Sequence, residues 1–244
     1  MLTLTEYVAA LDRVRRLGEA YSESPLQGGY RAHSVPLASS WAKNEPPVHG
    51  TNGRLTRAHV LDLAKGASDV ASCFGVFVYA MAWGYGDNGY GPFRTNRVVE
   101  SMGSPEKCGD FVLSLKGAAA DGWKSGYTTL MENRFTHFGP AFATKLLYFV
   151  SSETDRAPIL DSIVSGWLWS NGVASEESSI DSRAFDENQY ARFVEFVDLA
   201  AVELKKGFGL ADADDRGFVE YLLFFDRLFT RSTQDFPRWL RHIG

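Results

Sequence analysis

Residues 135–149 read FTHFGPAFATKLLYF, and after a short gap residues 156–168 read RAPILDSIVSGWL. Gly139-Pro140-Ala141 stands as an elbow between two apolar segments, which predicts two helices joined by a tight turn. The second helix of such a hairpin opens on backbone N–H groups that lack intrahelical acceptors. A helix terminus of that kind attracts anions through hydrogen bonds and the helix dipole, without any base-specific contact. Arg134, just before the turn, and Lys145, one turn inside the helix, would add positive charge to the patch. A plain helical corner, relieved by glycine, accounts for the same residues, so the hairpin alone leaves both readings open.

Asp161 follows Ile159-Leu160 and precedes SIVSGWL, which predicts it as the N-cap of a third helix. Its carboxylate then serves the first-turn amides, and it also stands where a pocket mouth would lie. The two roles are compatible. Amide donors keep a capping carboxylate ionised, which suits a group that stabilises positive charge rather than one that donates a proton.

Helical patterns extend over most of the chain. Thr3-Leu4-Thr5-Glu6 has the form of a capping box, and Tyr7, Leu11, Val14 and Leu17 follow at helical spacing. Further helices are predicted from Thr56 to about Lys65, through the apolar run 69–83, and from Ser104-Pro105 to about Ala120. Others are expected at 126–135, 141–152, 162–170, 187–206 with Asp186 as cap and Gly207 as stop, and 215–230. Residues 24–54, rich in Gly, Pro, Ser and Asn and carrying His33, Trp41, Lys43 and His49, read as a long loop. No period-two strand, internal repeat or low-complexity tract stands out.

With 244 residues, of which 45% are hydrophobic and 14% aromatic, the chain can bury a large core. No uninterrupted apolar run of membrane-spanning length and no signal-peptide pattern is seen, which predicts a cytoplasmic protein. Cys73 and Cys108 show no metal-ligand spacing and read as buried small hydrophobes, so neither metal nor cofactor is expected. The net charge of −5 conceals asymmetry: residues 151–220 hold 15 acidic and 6 basic side chains, and the remainder carries a net +4. One part of the chain can therefore face a polyanion.

A hairpin, a Gly-containing turn, a helix, and then Pro158-x-x-Asp161 opening another helix resembles the layout of the helix-hairpin-helix DNA glycosylases. That superfamily includes endonuclease III and the adenine and 8-oxoguanine glycosylases. Residues 80–99, AMAWGYGDNGYGPFRTNRVV, with GPAFATKLLYF and ILDSIVSGWL, resemble its bacterial branch related to 8-oxoguanine glycosylase. A phage-defence enzyme that removes glucosylated hydroxymethylcytosine belongs to that branch. The resemblance covers about residues 60–170 and implies an all-α fold of two helical lobes with the active-site cleft between them. It also implies one domain over residues 1–244, with the hairpin and the catalytic Asp within 126–170.

By the same resemblance, Asp161 is the catalytic aspartate, which stabilises the oxocarbenium-like sugar and helps activate water. Bifunctional members carry a nucleophilic lysine 18 or 19 residues before that aspartate, where this chain has Ala143 and Phe142. Lys145 lies about 200–300° round the helix from those positions at about 100° per residue. The resemblance thus implies a monofunctional glycosylase that leaves an abasic site. The family's Gly-x-Gly turn is here Gly139-Pro140-Ala141, and the proline removes one possible phosphate donor.

Base excision needs a flipped base in a pocket. Trp83, Tyr85 and Tyr90 are the candidate lining, with glycines that allow close backbone approach and Arg94 to meet a phosphate. A Gly-rich turn whose aromatics merely pack explains that segment equally well. The expected partner is double-stranded DNA containing modified bases, bound by a monomer. The alternatives are an 8-oxoguanine repair glycosylase and a non-catalytic hairpin module that only grips DNA.

Overall fold

The computed structural model describes residues 4–43, 48, 52–174, 183, 186–210 and 215–230, with the backbone alone for 4–6. The predicted capping box at Thr3–Glu6 lies outside the described residues. The fold is all-α, as its sequence predicts, and the chain divides into two compact units: residues 31–155, and residues 1–30 with 156–244.

In the unit formed by residues 31–155, helix α3 (Val70–Tyr85) is central. Four helices pack on it: α2 (Arg57–Gly66), α4 (Gly91–Met102), α5 (Pro105–Ala120) and α7 (Pro140–Val150). Helix α6 (Trp123–Glu132) rests on α5 and α7. The nearly continuous apolar sequence of α3 explains its place, since Cys73, Val76, Phe77, Ala80, Met81 and Ala82 are all buried. Its start is a capping box in which Asp69 Oδ1 accepts from the Ser72 amide at 2.8 Å and Ser72 Oγ returns to the Asp69 backbone. Ser104 caps α5 with Pro105 in the first turn, as its sequence predicts. Both cysteines are free and buried, and burial pushes the Cys108 thiol up to about 12.

Two features of this unit differ from the sequence expectation. The loop at 24–54 contains a two-stranded antiparallel sheet of β1 (Ser34–Pro36) and β2 (Arg54–Thr56), with Val35 opposite Leu55. Strands of three residues are too short to show alternation, and only Leu55 of the six is buried. The second is α4, a helix not predicted from the sequence, which follows a turn at residues 86–90. Its inward face reads Gly91, Thr95, Val98 and Met102, so helical spacing is present but carries little hydrophobic contrast. Helix α6 also starts at Trp123 rather than 126.

The other unit contains α1 (Leu4–Glu23), α8 (Ser162–Ser170), α9 (Glu187–Phe208) and α10 (Arg216–Phe229). Helix α1 packs on α9 and α10, and α10 packs on α8 and α9. Asp186 and Asp215 cap α9 and α10 through amides of their first turns. Helix α9 runs through Gly207 and stops at Gly209, whose φ of 58° is the left-handed cap that glycine adopts without strain. Inside the unit Asp226 accepts from the Trp167 indole at 2.7 Å and forms a two-armed pair with the Arg13 guanidinium.

Candidate functional site

The hairpin of α6 and α7 lies wholly within one unit. Its turn closes through the Phe138 amide, which donates to the Phe135 carbonyl at 3.2 Å. The residue with left-handed backbone is His137, at φ 70°, whereas Gly139 is extended at φ −77°. Glycine is therefore not needed at 139 to relieve strain, and a Cβ there would meet nothing within 4 Å. What the bare Gly139 does is leave the mouth of α7 open. No side chain caps that terminus and Pro140 has no N–H. The Phe142 and Ala143 amides both return to the Gly139 carbonyl at 3.0 Å, which leaves the Ala141 amide as the first-turn donor without an intrahelical acceptor.

Arg134 is exposed beside the turn. Lys145 is not: it is 7% exposed, its Nζ reaches the Ala141 carbonyl at 3.5 Å and lies 5.5 Å from the Phe142 ring centre. Its charge is thus folded back into the N-terminal turn of α7 rather than displayed. Gly84 makes room for it, since a Cβ at Gly84 would stand 2.8 Å from the Phe142 ring and 3.0 Å from Lys145 Cδ.

Beside the hairpin lies an open cavity of about 570 Å³. Tyr85 and Phe142 stack along its wall at 4.3 Å. Tyr90 and Phe93 stand on its rim, 72% and 58% exposed, with Arg94, Arg97 and His137 between α4 and the turn. Burial pushes the Tyr85 hydroxyl up, opposed by the charge of Arg94. The structure thus brings Tyr85, Tyr90 and Arg94 together next to the hairpin. Trp83 is elsewhere: it meets Phe149 edge-on at 5.3 Å, and the buried Arg57 guanidinium covers it at 4.9 Å. Phe93, Arg97 and His137 were not singled out from the sequence. The signal for the first two was the spacing Tyr90, Phe93/Arg94, Arg97, which puts them on one helical face once α4 is recognised.

Asp161 belongs to the other unit. Its Oδ1 accepts from the Ile163 and Val164 amides at 3.0 and 3.1 Å, so it is the predicted N-cap of α8. The residue is 9% exposed. The segment leading to it, residues 156–160, is buried and pinned from two helices. The Tyr190 hydroxyl of α9 donates to the Pro158 carbonyl at 2.6 Å, and Arg216 of α10 donates to the Arg156 carbonyl at 3.3 Å. Arg156 is itself paired with Asp215 at 3.6 Å in a buried setting. A capping carboxylate on so fixed a base is preorganised to stabilise a developing positive charge.

The family model described as "Putative 8-oxoguanine DNA glycosylase OGG-like protein" matches residues 6–224. The chain belongs to this family. The match includes both the hairpin and Asp161, and so extends beyond the region that carried the resemblance in the sequence. A search of curated proteins and a search of solved structures each found no match. Membership in the OGG-like family implies DNA as the partner and DNA glycosylase as the class of activity. Among the described residues, no helix is long and apolar enough to cross a membrane.

Proposed function

We propose that this OGG-like chain is a monofunctional DNA glycosylase that flips a modified base out of double-stranded DNA and excises it, leaving an abasic site. It acts as a monomer without a cofactor, in the cytoplasm, and its target is a glucosylated cytosine in phage DNA, excised as antiviral defence. The observation that carries the monofunctional reading is the first turn of α7. Phe142 and Ala143 stand where bifunctional relatives carry lysine, and the nearby Lys145 is folded against its own helix.

In this reading the α7 terminus, through Gly139 and the Ala141 amide, holds a DNA phosphate, with Arg134 and Arg94 adding charge. Tyr85 and Tyr90 offer ring faces to an unstacked base, and the cavity beside them is roomy enough for a bulky substituent, within the roughly 300–1,000 Å³ of small-ligand sites. As the C1′–N bond breaks, its electron pair leaves with the base and positive charge grows on C1′ and the ring oxygen. The Asp161 carboxylate stabilises that charge, and water attacking C1′ passes its proton to the carboxylate. The target base and the defence role are supported by the resemblance of residues 80–99, 139–149 and 159–168 to the bacterial 8-oxoguanine-glycosylase-like branch, which includes a phage-defence enzyme.

The family's description favours a second reading, excision of 8-oxoguanine. An abasic-site assay separates the two, using unmodified DNA, 8-oxoguanine duplex, and phage DNA with plain, hydroxymethylated or glucosylated cytosine. Alkali-labile sites confined to glucosylated DNA are expected, and product at 8-oxoguanine alone would replace the target with the repair substrate. Asp161→Asn keeps the helix cap and is expected to lower excision by about 10³-fold or more while leaving DNA binding intact. Excision at the wild-type rate by that variant, or no product on any substrate, would overturn the reading.

A further inference from the structure

The hairpin turn is held in place from outside the hairpin. His137, the residue with left-handed φ of 70°, meets Arg97 of α4 through Nε2 and Nη2 at 3.1 Å. Arginine has only donors, so Nε2 is the acceptor and the imidazole is read as the tautomer with its proton on Nδ1. One helical turn further along α4, the Ser101 hydroxyl stands 2.9 Å from the Thr136 carbonyl and 2.7 Å from the Val98 carbonyl of its own helix, its one proton shared between the two. Two consecutive turn residues are therefore tied to one face of a helix that precedes them by 40 and 35 positions. A non-glycine residue in the left-handed region is disfavoured on its own and persists where its surroundings fix it. The Arg97 side chain is itself steadied against the Phe93 ring, 5.9 Å away.

We infer that Arg97 and Ser101 are positioning residues for the hairpin. They hold Thr136 and His137 in the conformation that aims the mouth of α7 outward, and Arg97 acts through His137 rather than by its charge. The inference rests on the proposal that this terminus grips a DNA phosphate. It makes α4 the brace of the grip, a role for a helix that the sequence did not announce.

The test separates bracing from direct charge. Binding of a duplex oligonucleotide carrying a tetrahydrofuran abasic analogue is measured against KCl concentration for wild type, Arg97→Lys, Arg97→Ala, His137→Ala and the double alanine variant. Amide exchange of residues 136–139 is followed in each free protein. Arg97 is exposed, so its variants retain the fold. Bracing predicts that Arg97→Lys, which keeps the charge but loses the planar fork, weakens binding about tenfold, as much as Arg97→Ala. It predicts an unchanged salt slope, a double variant no weaker than either single one, and faster exchange in the turn. Wild-type affinity in Arg97→Lys, with a slope lower by about one in Arg97→Ala, would make Arg97 a direct phosphate contact and overturn the inference. Unchanged turn exchange in every variant would overturn it too. A wild-type protein that does not bind the duplex overturns the phosphate-grip reading itself, a result distinct from binding without coupling.

Discussion

The two units differ in where some of their charged side chains are placed. The unit with Asp161 turns them inward: Asp226 serves Arg13 and Trp167, and Arg156 faces Asp215 with both residues buried. The unit with the hairpin exposes Arg94 and Arg97 at an open cavity and Arg134 beside the turn, while its Arg57 and Lys145 are buried. Counted over the whole sequence, residues 31–155 carry 12 basic and 11 acidic side chains, and the other unit carries 13 basic and 19 acidic. Exposed arginines thus stand on one unit, and a rigidly held carboxylate on the other. The net charge of −5 describes neither.

The contrast can be broken from the inside first. Asp226→Ala is expected to cost about 3 kcal/mol, because it strands Arg13 and removes the acceptor of a buried indole. The midpoint of denaturant unfolding measures this, and a change below about 0.5 kcal/mol would mean that the inward charges do not hold their unit together.

The hairpin unit has one titrating group that answers to the same logic. Desolvation, with the charges of Arg57 and Arg54, lowers His33 to about 4. The unfolded chain binds a proton at about pH 6.5 that the folded chain refuses. Stability from the neutral imidazole is therefore full above about pH 6.5 and is lost as pH falls toward 4, by about 3 kcal/mol at most. Unfolding scans of wild type and His33→Gln across that window check this. Parallel pH profiles would remove His33 as the cause.

The smallest effect sharpens the outward side. Arg94→Gln should weaken duplex binding about threefold at 0.1 M salt and lower the salt slope by about one, with stability unchanged within about 0.5 kcal/mol. Loss of stability without a change in slope would make Arg94 a packing residue.

The elements legible in the sequence were those governed by neighbours along the chain. The caps at Ser104, Asp161 and Asp186 are side chains bonding amides two or three positions on, and the buried α3 follows from a run of apolar residues. The hairpin was legible for the same reason, since a glycine and a proline mark where one helix must stop and another can start. The tertiary structure alone decided the rest. It put the left-handed backbone on His137 rather than Gly139, folded Lys145 back against Phe142 in the space Gly84 leaves, and pinned the approach to Asp161 through Tyr190 and Arg216. The contacts of Gly84 with Lys145, Tyr190 with Pro158 and Arg216 with Arg156 join residues 32–61 positions apart, where local propensity carries no information and only packing chooses the partner.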